Sequence, residues 1–175
     1  LGKKNIRLDG FHCHIGSQIF DIEPFCDGAR IMISYISHIK KQFGFNTRIL
    51  NLGGGFGVRY IESQPSIDVK EFIKKIASFI DREVNETGIV RPTVLMEPGR
   101  SIVADTCLTL YTVGGTKEIP GFKNYVSVDG GMPDNPRYAL YGSNYTVINA
   151  SKANAKKTAT KSKSSNTFNI EAASI

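Results

Sequence analysis

Apolar residues recur at three- and four-residue steps in two long stretches of the chain. Phe25, Ala29, Met32, Ile33, Ile36, Ile39 and Phe43 make one series, and Val69, Phe72, Ile73, Ile76, Ile80 and Val84 make the other. This spacing predicts two amphipathic helices, each with one buried stripe. Three shorter runs read as strands: RLDGFHCHI (7–15) ending in polar residues, NTRILNL (46–52) running into glycines, and RPTVLME (91–97) ending in an acid. The order β-α-β-α-β favours parallel strands joined by right-handed crossovers, in a doubly wound sheet or a barrel.

The polar strand ends at His14, Gly53 and Glu97 fall about 40 residues apart, close to one βα unit of a (β/α) barrel, where ligands bind at the carboxyl ends of strands. Beyond Glu97 the pattern changes. CLTLYTVGGTKEI (107–119) and NYVSVDGG (124–131) alternate or run apolar with Gly-Gly breaks and no helix between them, which predicts an antiparallel β region from about residue 106. From about residue 151, SKANAKKTATKSKSSNT is rich in Lys, Ser, Thr and Ala and has no hydrophobic period, so an irregular tail is expected.

The fold expected is α/β: a partial barrel over residues 1–105, the start of a β domain over 106–150, and the tail over 151–175. A complete eight-stranded barrel takes about 250 residues, so only part of one is expected in a chain of 175. A start at Leu1-Gly2-Lys3 without Met agrees with a fragment. A partial barrel leaves sheet edges and one sheet face open, so the chain is expected to fold against further segments or a second copy of itself.

Composition changes this picture little. With 41% hydrophobic and 22% charged residues the chain reads as an ordinary water-soluble domain. Its net charge of +6 raises the question of nucleic acid, but it falls to +1 without the five lysines of the tail, Lys152, Lys156, Lys157, Lys161 and Lys163. The tail has no interleaved aromatics, so no nucleic-acid partner is expected. Cys13, Cys26 and Cys107 are scattered and odd in number, as befits free thiols in a reducing cytoplasm, and no metal site is expected. No apolar run nears the roughly 18 residues of a membrane span and no signal-peptide pattern is present, so no membrane partner is expected.

The candidate chemistry lies at the strand ends. Gly53-Gly54-Gly55-Phe56-Gly57 follows a strand directly, and its backbone N–H groups can cradle a phosphate. A tight turn is the plain alternative for these glycines taken alone, since the spacing is neither GxGxxG nor a P-loop. Glu97-Pro98-Gly99-Arg100-Ser101 sets an acid, a glycine amide, a guanidinium and a hydroxyl within five residues. Alone, it reads equally as a Pro-Gly turn with an exposed ion pair. Barrel phosphate sites use loops after two adjacent late strands, and two successive strand ends here carry anion-binding signals, so the expected piece is the C-terminal part of a (β/α)8 TIM-like barrel. His12 and His14 share one strand face and Cys13 takes the other. Ser17 follows close enough to offer a hydroxyl to the same phosphate.

FHCHIGSQIFD, LNLGGGFG, MEPGRSIVADTC and VDGGMPDNPRYALYG, in that order, carry a resemblance over roughly residues 8–150. They resemble the diaminopimelate decarboxylase family, fold-type III pyridoxal 5′-phosphate (PLP) enzymes of the alanine racemase-like barrel class. HIGSQ and DNPRYALYG favour it over ornithine- or arginine-type decarboxylases, which stay as the alternative within the class. The resemblance implies a lyase of lysine biosynthesis that is a cytoplasmic homodimer, uses PLP, and converts meso-2,6-diaminopimelate to L-lysine. It implies that His14 stacks on the pyridine ring, that Ser17 and Gly53, Gly54 and Gly55 hold the phosphate, and that Glu97 pairs with the ring nitrogen. It further implies that Pro98, Gly99 and Arg100 complete the phosphate site, that Arg100 also meets the substrate carboxylate, and that Arg137 and Tyr141 grip a substrate carboxylate. A carboxylate beside the pyridine nitrogen favours its protonated form, the better electron sink.

The sequence departs from the family in two places. The early lysine that bonds PLP and the later Cys-Glu-Ser-Gly-Asp segment have no counterpart here. Two rivals therefore stand beside the enzyme: a non-catalytic PLP-binding homologue or fragment, and an unrelated phosphate-sugar barrel enzyme, which leaves Glu97 and HIGSQ without a role.

Overall fold

In the computed structural model, which describes residues 5–152, the chain divides into two compact units. The first runs to Arg59 and resumes over Pro65–Cys107; the second takes Tyr60–Gln64 and the chain from Leu108 on. The expected irregular tail lies, from residue 153 on, outside the described residues.

The first unit is a parallel sheet with two helices on one face. Strands β1 (Gly10–His12), β2 (Ile49–Asn51) and β3 (Thr93–Leu95) stand in sequence order, paired in parallel with Gly10 opposite Ile49 and Ile49 opposite Thr93. Helices α1 (Glu23–Phe43) and α2 (Val69–Thr87) form the two crossovers. This β-α-β-α-β unit matches the order read from periodicity, with strands three residues long in place of the longer runs expected. The loss falls at both ends of each run.

Each helix has identifiable ends. Pro24 sits in the first turn of α1, where a missing N–H costs nothing, and Gly44 closes it in the left-handed region at φ 66° with its N–H on Lys40 O. Asp68 caps α2 by accepting from Glu71 N at 3.1 Å. Gly88, again at φ 66°, ends it. Between helices and sheet lies the core, with Phe25, Ile33, Leu50, Phe56, Ile76 and Ile80 all buried, and the Phe25 and Phe56 rings stacked at 4.8 Å.

Strand alternation decides which side chains reach that core. Phe11 and Cys13, Leu50 and Leu52, and Val94 and Met96 pack towards the helices. His12, Asn51, Leu95 and Glu97 therefore project from the opposite face. At the amino end of the sheet Asp9 fastens β1 to β2: its carbonyl accepts from Arg48 N and Ile49 N, and its carboxylate accepts from Arg7 and Arg48. The Arg7 hydrogen bond, helped by Arg48, holds the Asp9 carboxyl below the usual range.

The second unit holds an antiparallel ribbon of β4 (Val113–Glu118) and β5 (Asn124–Val128), with a bulge between Val113 and Gly115. Thr112 and Asp129 clamp its open end, Thr112 N donating to Asp129 Oδ1 at 2.8 Å and Asp129 N to Thr112 O at 3.2 Å. Both strands are exposed along their whole length. Tyr60 joins this unit through ring contact with Tyr145 and a hydrogen bond from Thr146 Oγ1 to its carbonyl. Two short helices were not foreseen: α3 (Arg100–Val103) after β3 and α4 (Arg137–Tyr141), closed by Gly142 at φ 61°. Each is under two turns, too short for a hydrophobic period to register.

Candidate functional site

The carboxyl ends of β1, β2 and β3 come together around the glycine run. Cys13 N bonds Asn51 O, Leu52 N bonds Leu95 O and Glu97 N bonds Gly53 O at 2.7 Å, so the three chains stay in step past the strands proper. The glycines are needed for this closeness. A β-carbon at Gly53 would lie 2.7 Å from His14 Nδ1 and 2.8 Å from Cys13 O, in a residue already at φ 67°. At Gly54 it would strike the carbonyl of Glu97, and at Gly55 the carbonyl of Gly16. The triglycine run thus touches the 14–17 loop on one side and the Glu97 turn on the other.

The loop after β1 is tied to the same place. Ile19 N donates to Gly55 O at 3.0 Å and Gly57 N to Ile19 O at 2.8 Å. The Gln18 side chain donates to Val58 O and accepts from Val58 N, both at 2.9 Å, with Gln18 itself at φ 58°. These bonds hold the loop that carries exposed Ser17 beside the glycines.

Side-chain polar groups then link the strand ends across the helix-free face. Asn51 Nδ2 donates to Glu97 Oε1 at 2.7 Å, and Asn51 Oδ1 accepts from Gly53 N at 2.8 Å. His12 Nε2 stands 3.9 Å from Glu97 Oε2. His14 Nδ1 accepts from Gly54 N at 3.3 Å, so a neutral His14 carries its proton on Nε2. Two of the three glycine amides are therefore committed to site side chains. Among the described residues the Gly55 N–H is the one of the three that donates to no protein group.

The Glu97 turn ends in α3. Gly99 N bonds Glu97 O, Arg100 begins the helix, and Arg100 Nη1 and Ser101 Oγ are buried without a hydrogen-bond partner among the described residues. A buried guanidinium N–H and a buried hydroxyl left unpaired are costly unless something outside the protein meets them. Like the Gly55 amide, they are donors of the kind an anion needs. The residues present thus fit a phosphorylated pyridine: donors for a phosphate near the glycine turn, and a carboxylate held a short way along the same face.

His14, Ser17, Gly53 to Gly55 and Glu97 to Arg100 all lie in the first unit, on neighbouring strand ends. Arg137 and Tyr141 lie in the second, on α4, with the guanidinium 5.0 Å from the Tyr141 ring and Arg137 Nε buried without a partner among the described residues. Asn51 was missed by sequence reading, although the alternation of Leu50 and Leu52 with Asn51 marks it as the polar-face residue of its strand. Two clefts lie elsewhere. One, of about 380 Å³, is between α1 and α2 near Cys26 and Phe79, and the other, of about 300 Å³, is between α2 and β3. Both sit on the helical side of the sheet, away from Glu97. No cluster of metal-binding side chains occurs among the described residues.

Residues 1–104 match the family described as "Pyridoxal-dependent decarboxylase, pyridoxal binding domain". The chain belongs to that family. The pyridoxal-binding domain identified by the match covers all three strand ends. Among curated relatives, the chain is similar to diaminopimelate decarboxylase of Bacillus subtilis (43% identical over 152 residues, 87% of this chain and 35% of the relative). It is also similar to that of Staphylococcus aureus (45% over 145 residues, 83% and 34%). Among solved structures it resembles diaminopimelate decarboxylase from M. jannaschii in co-complex with L-lysine, with a TM-score of 0.68 at 34% identity over 77% of this chain and 30% of that one. The chain spans about a third of the length of these curated relatives. The chain is mixed α/β, and no described helix is long and apolar enough to cross a membrane.

Proposed function

We propose that this chain supplies the cofactor-gripping strand ends of an enzyme that decarboxylates meso-2,6-diaminopimelate to L-lysine with PLP. The observation that supports the reading is the approach of Glu97, held by Asn51, to the triglycine turn, with the unpaired donors Arg100 Nη1 and Ser101 Oγ following in the next residues of the chain. The names of the curated relatives and the lysine-bound neighbour support this choice of substrate.

Bound at this site, PLP supplies a protonated pyridine ring that accepts the electron pair left behind when CO₂ departs. The chain's own residues bind and orient it. Glu97 takes the ring nitrogen and keeps a proton there, because a carboxylate beside that nitrogen stabilises the cationic form. His14, its Nδ1 held by Gly54 N, would hold the ring. Ser17, the Gly53–Gly55 turn, Pro98 and Gly99 would enclose the phosphate, and Arg100 would offer charge to the phosphate and to a substrate carboxylate. Arg137 and Tyr141, in the DNPRYALYG motif that carries the resemblance, are read as the grip on a substrate carboxylate. A guanidinium there favours diaminopimelate over an amine-ended substrate such as ornithine.

The three strands are read as the C-terminal part of a (β/α)8 barrel, supported by β1 and β3 each pairing on one side only among the described residues and by the change to an antiparallel ribbon beyond α3. The domain plan proposed is barrel to residue 105, β domain to 150, then tail. A cytoplasmic homodimer is the proposed setting: Cys13, Cys26 and Cys107 are free, and large apolar residues such as Leu108, Leu110 and Phe122 are exposed.

The test is made on the full-length protein that carries these residues. Titration with PLP should give a visible absorbance band, and addition of meso-diaminopimelate should release CO₂ and lysine, with ornithine and arginine turned over far more slowly. A band without decarboxylation would support a non-catalytic PLP-binding homologue. Absence of PLP binding would overturn both readings.

A further inference from the structure

Glu97 brings a carboxylate to the glycine turn, yet its side chain is 59% exposed and its His12 contact is long. An exposed carboxylate on a flexible stem samples several rotamers, and an open pair at 3.9 Å restrains it little. What fixes Glu97 is the amide of Asn51. We propose that Asn51 is a positioning residue that sets the Glu97 carboxylate towards the cofactor's ring nitrogen and, with the same side chain, holds the glycine turn, an inference that rests on the reading of this site as a PLP site.

The geometry allows one role for each end of the amide. Oδ1 accepts from Gly53 N at 2.8 Å, so the other end, Nδ2, faces Glu97 Oε1 at 2.7 Å. Turned over, the amide would set its NH₂ against an N–H and its oxygen against a carboxylate, and both bonds would be lost. Asn51 sits mid-sheet, paired with His12 on one side and Leu95 on the other, so its backbone is fixed on both flanks. Asparagine is the side chain of this length that meets both partners: aspartate keeps the bond to Gly53 N but repels Glu97, and leucine keeps the shape but neither bond. The glycine turn and the acid are thereby coupled, since moving one pulls on the amide that holds the other.

A merely structural Asn51 would weaken every ligand of the site alike. A positioning Asn51 acts through Glu97 and so matters only to a ligand with a ring nitrogen. The probes are therefore PLP and its analogue with CH in place of that nitrogen, titrated by absorbance into the full-length protein. Asn51→Leu is expected to weaken PLP roughly 10- to 100-fold, the worth of a hydrogen bond to a charged group. It should weaken the analogue much less, so that the wild-type preference for PLP collapses. Asn51→Asp at pH 8 keeps the acceptor for Gly53 N and should lose the same preference while binding the analogue as the wild type does, which guards against a leucine variant that misfolds. If the variants keep the full wild-type preference, Asn51 does not act through Glu97 and the inference fails while the PLP reading stands. If the wild type binds neither compound, or both equally, the assignment of Glu97 to the ring nitrogen fails and the inference falls with it.

Discussion

Replacing Gly53 by alanine tests whether the glycine turn is shaped by close approach or is only a convenient bend. The perturbation has two parts. At φ 67° an alanine pays the left-handed penalty of about 1–2 kcal/mol. Its β-carbon would also sit 2.7 Å from His14 Nδ1 and 2.8 Å from Cys13 O, inside the 3.0 Å that such contacts essentially never show. The carbonyl belongs to a strand end bonded to Asn51, so it has little room to retreat, and overpacking of this kind costs about 1–3 kcal/mol. The expected loss is thus about 2–5 kcal/mol. Two other glycines separate the parts. Gly88 has φ 66° with nothing within 4 Å, so Gly88→Ala should cost only the backbone share, about 1–2 kcal/mol. Gly99 has neither a positive φ nor a neighbour within 4 Å, so Gly99→Ala should leave stability within about 0.5 kcal/mol. Urea denaturation followed by far-UV circular dichroism on the full-length protein gives the order of midpoints. PLP titration adds a second readout, because pushing His14 aside breaks its bond to Gly54 N. Equal midpoints for Gly53→Ala and Gly88→Ala, with unchanged PLP affinity, would refute the close-approach reasoning.

Asp68→Ala removes the cap of α2 and leaves Glu71 N without its partner, an expected loss of about 1 kcal/mol seen as a lower denaturation midpoint. Ile80→Ala hollows the centre of the helix–sheet core and should cost about 2–5 kcal/mol in the same assay. Burial pushes the Cys13 thiol above its ordinary value, and burial with the nearby acids Glu23 and Asp27 does the same for Cys26. Both thiols are thus favoured neutral in the folded state. Their contribution is fully present below a thiol's ordinary titration and is lost as pH rises past about 9, so the folded protein should weaken on going from pH 8 to pH 10. Exposed Cys107 should react with iodoacetamide well before Cys13 and Cys26, as peptide mapping by mass spectrometry would show.

The helices and their order were legible because an apolar stripe at a 3.6-residue period has one physical cause, a helix lying on something. How much of each stripe is buried was not. Phe43 is 61% exposed and Ile73 41% exposed, although both belong to the stripes. A helix of 21 residues is about 31 Å long, whereas a three-residue strand spans about 10 Å, so α1 overhangs the sheet and its last turn has nothing to lie on. The glycines and the Glu97 turn were visible as anion-binding peptides, and the alternation of β1 placed His12 and His14 on one face. The linkage among them was not legible. Asn51 and Glu97 are 46 residues apart, and their hydrogen bond depends on strand register and on the step Gly53 makes at φ 67°. Sequence reading also treated all three glycine amides as free for phosphate, whereas two of them hold Asn51 and His14.

The most direct test is a crystal structure of the full-length protein with PLP bound. The account predicts Glu97 within about 3 Å of the pyridine nitrogen, the phosphate against Gly55 N and the Arg100 guanidinium, and the His14 ring over the pyridine face. A pyridine nitrogen facing another residue, or a phosphate bound away from the triglycine turn, would contradict it.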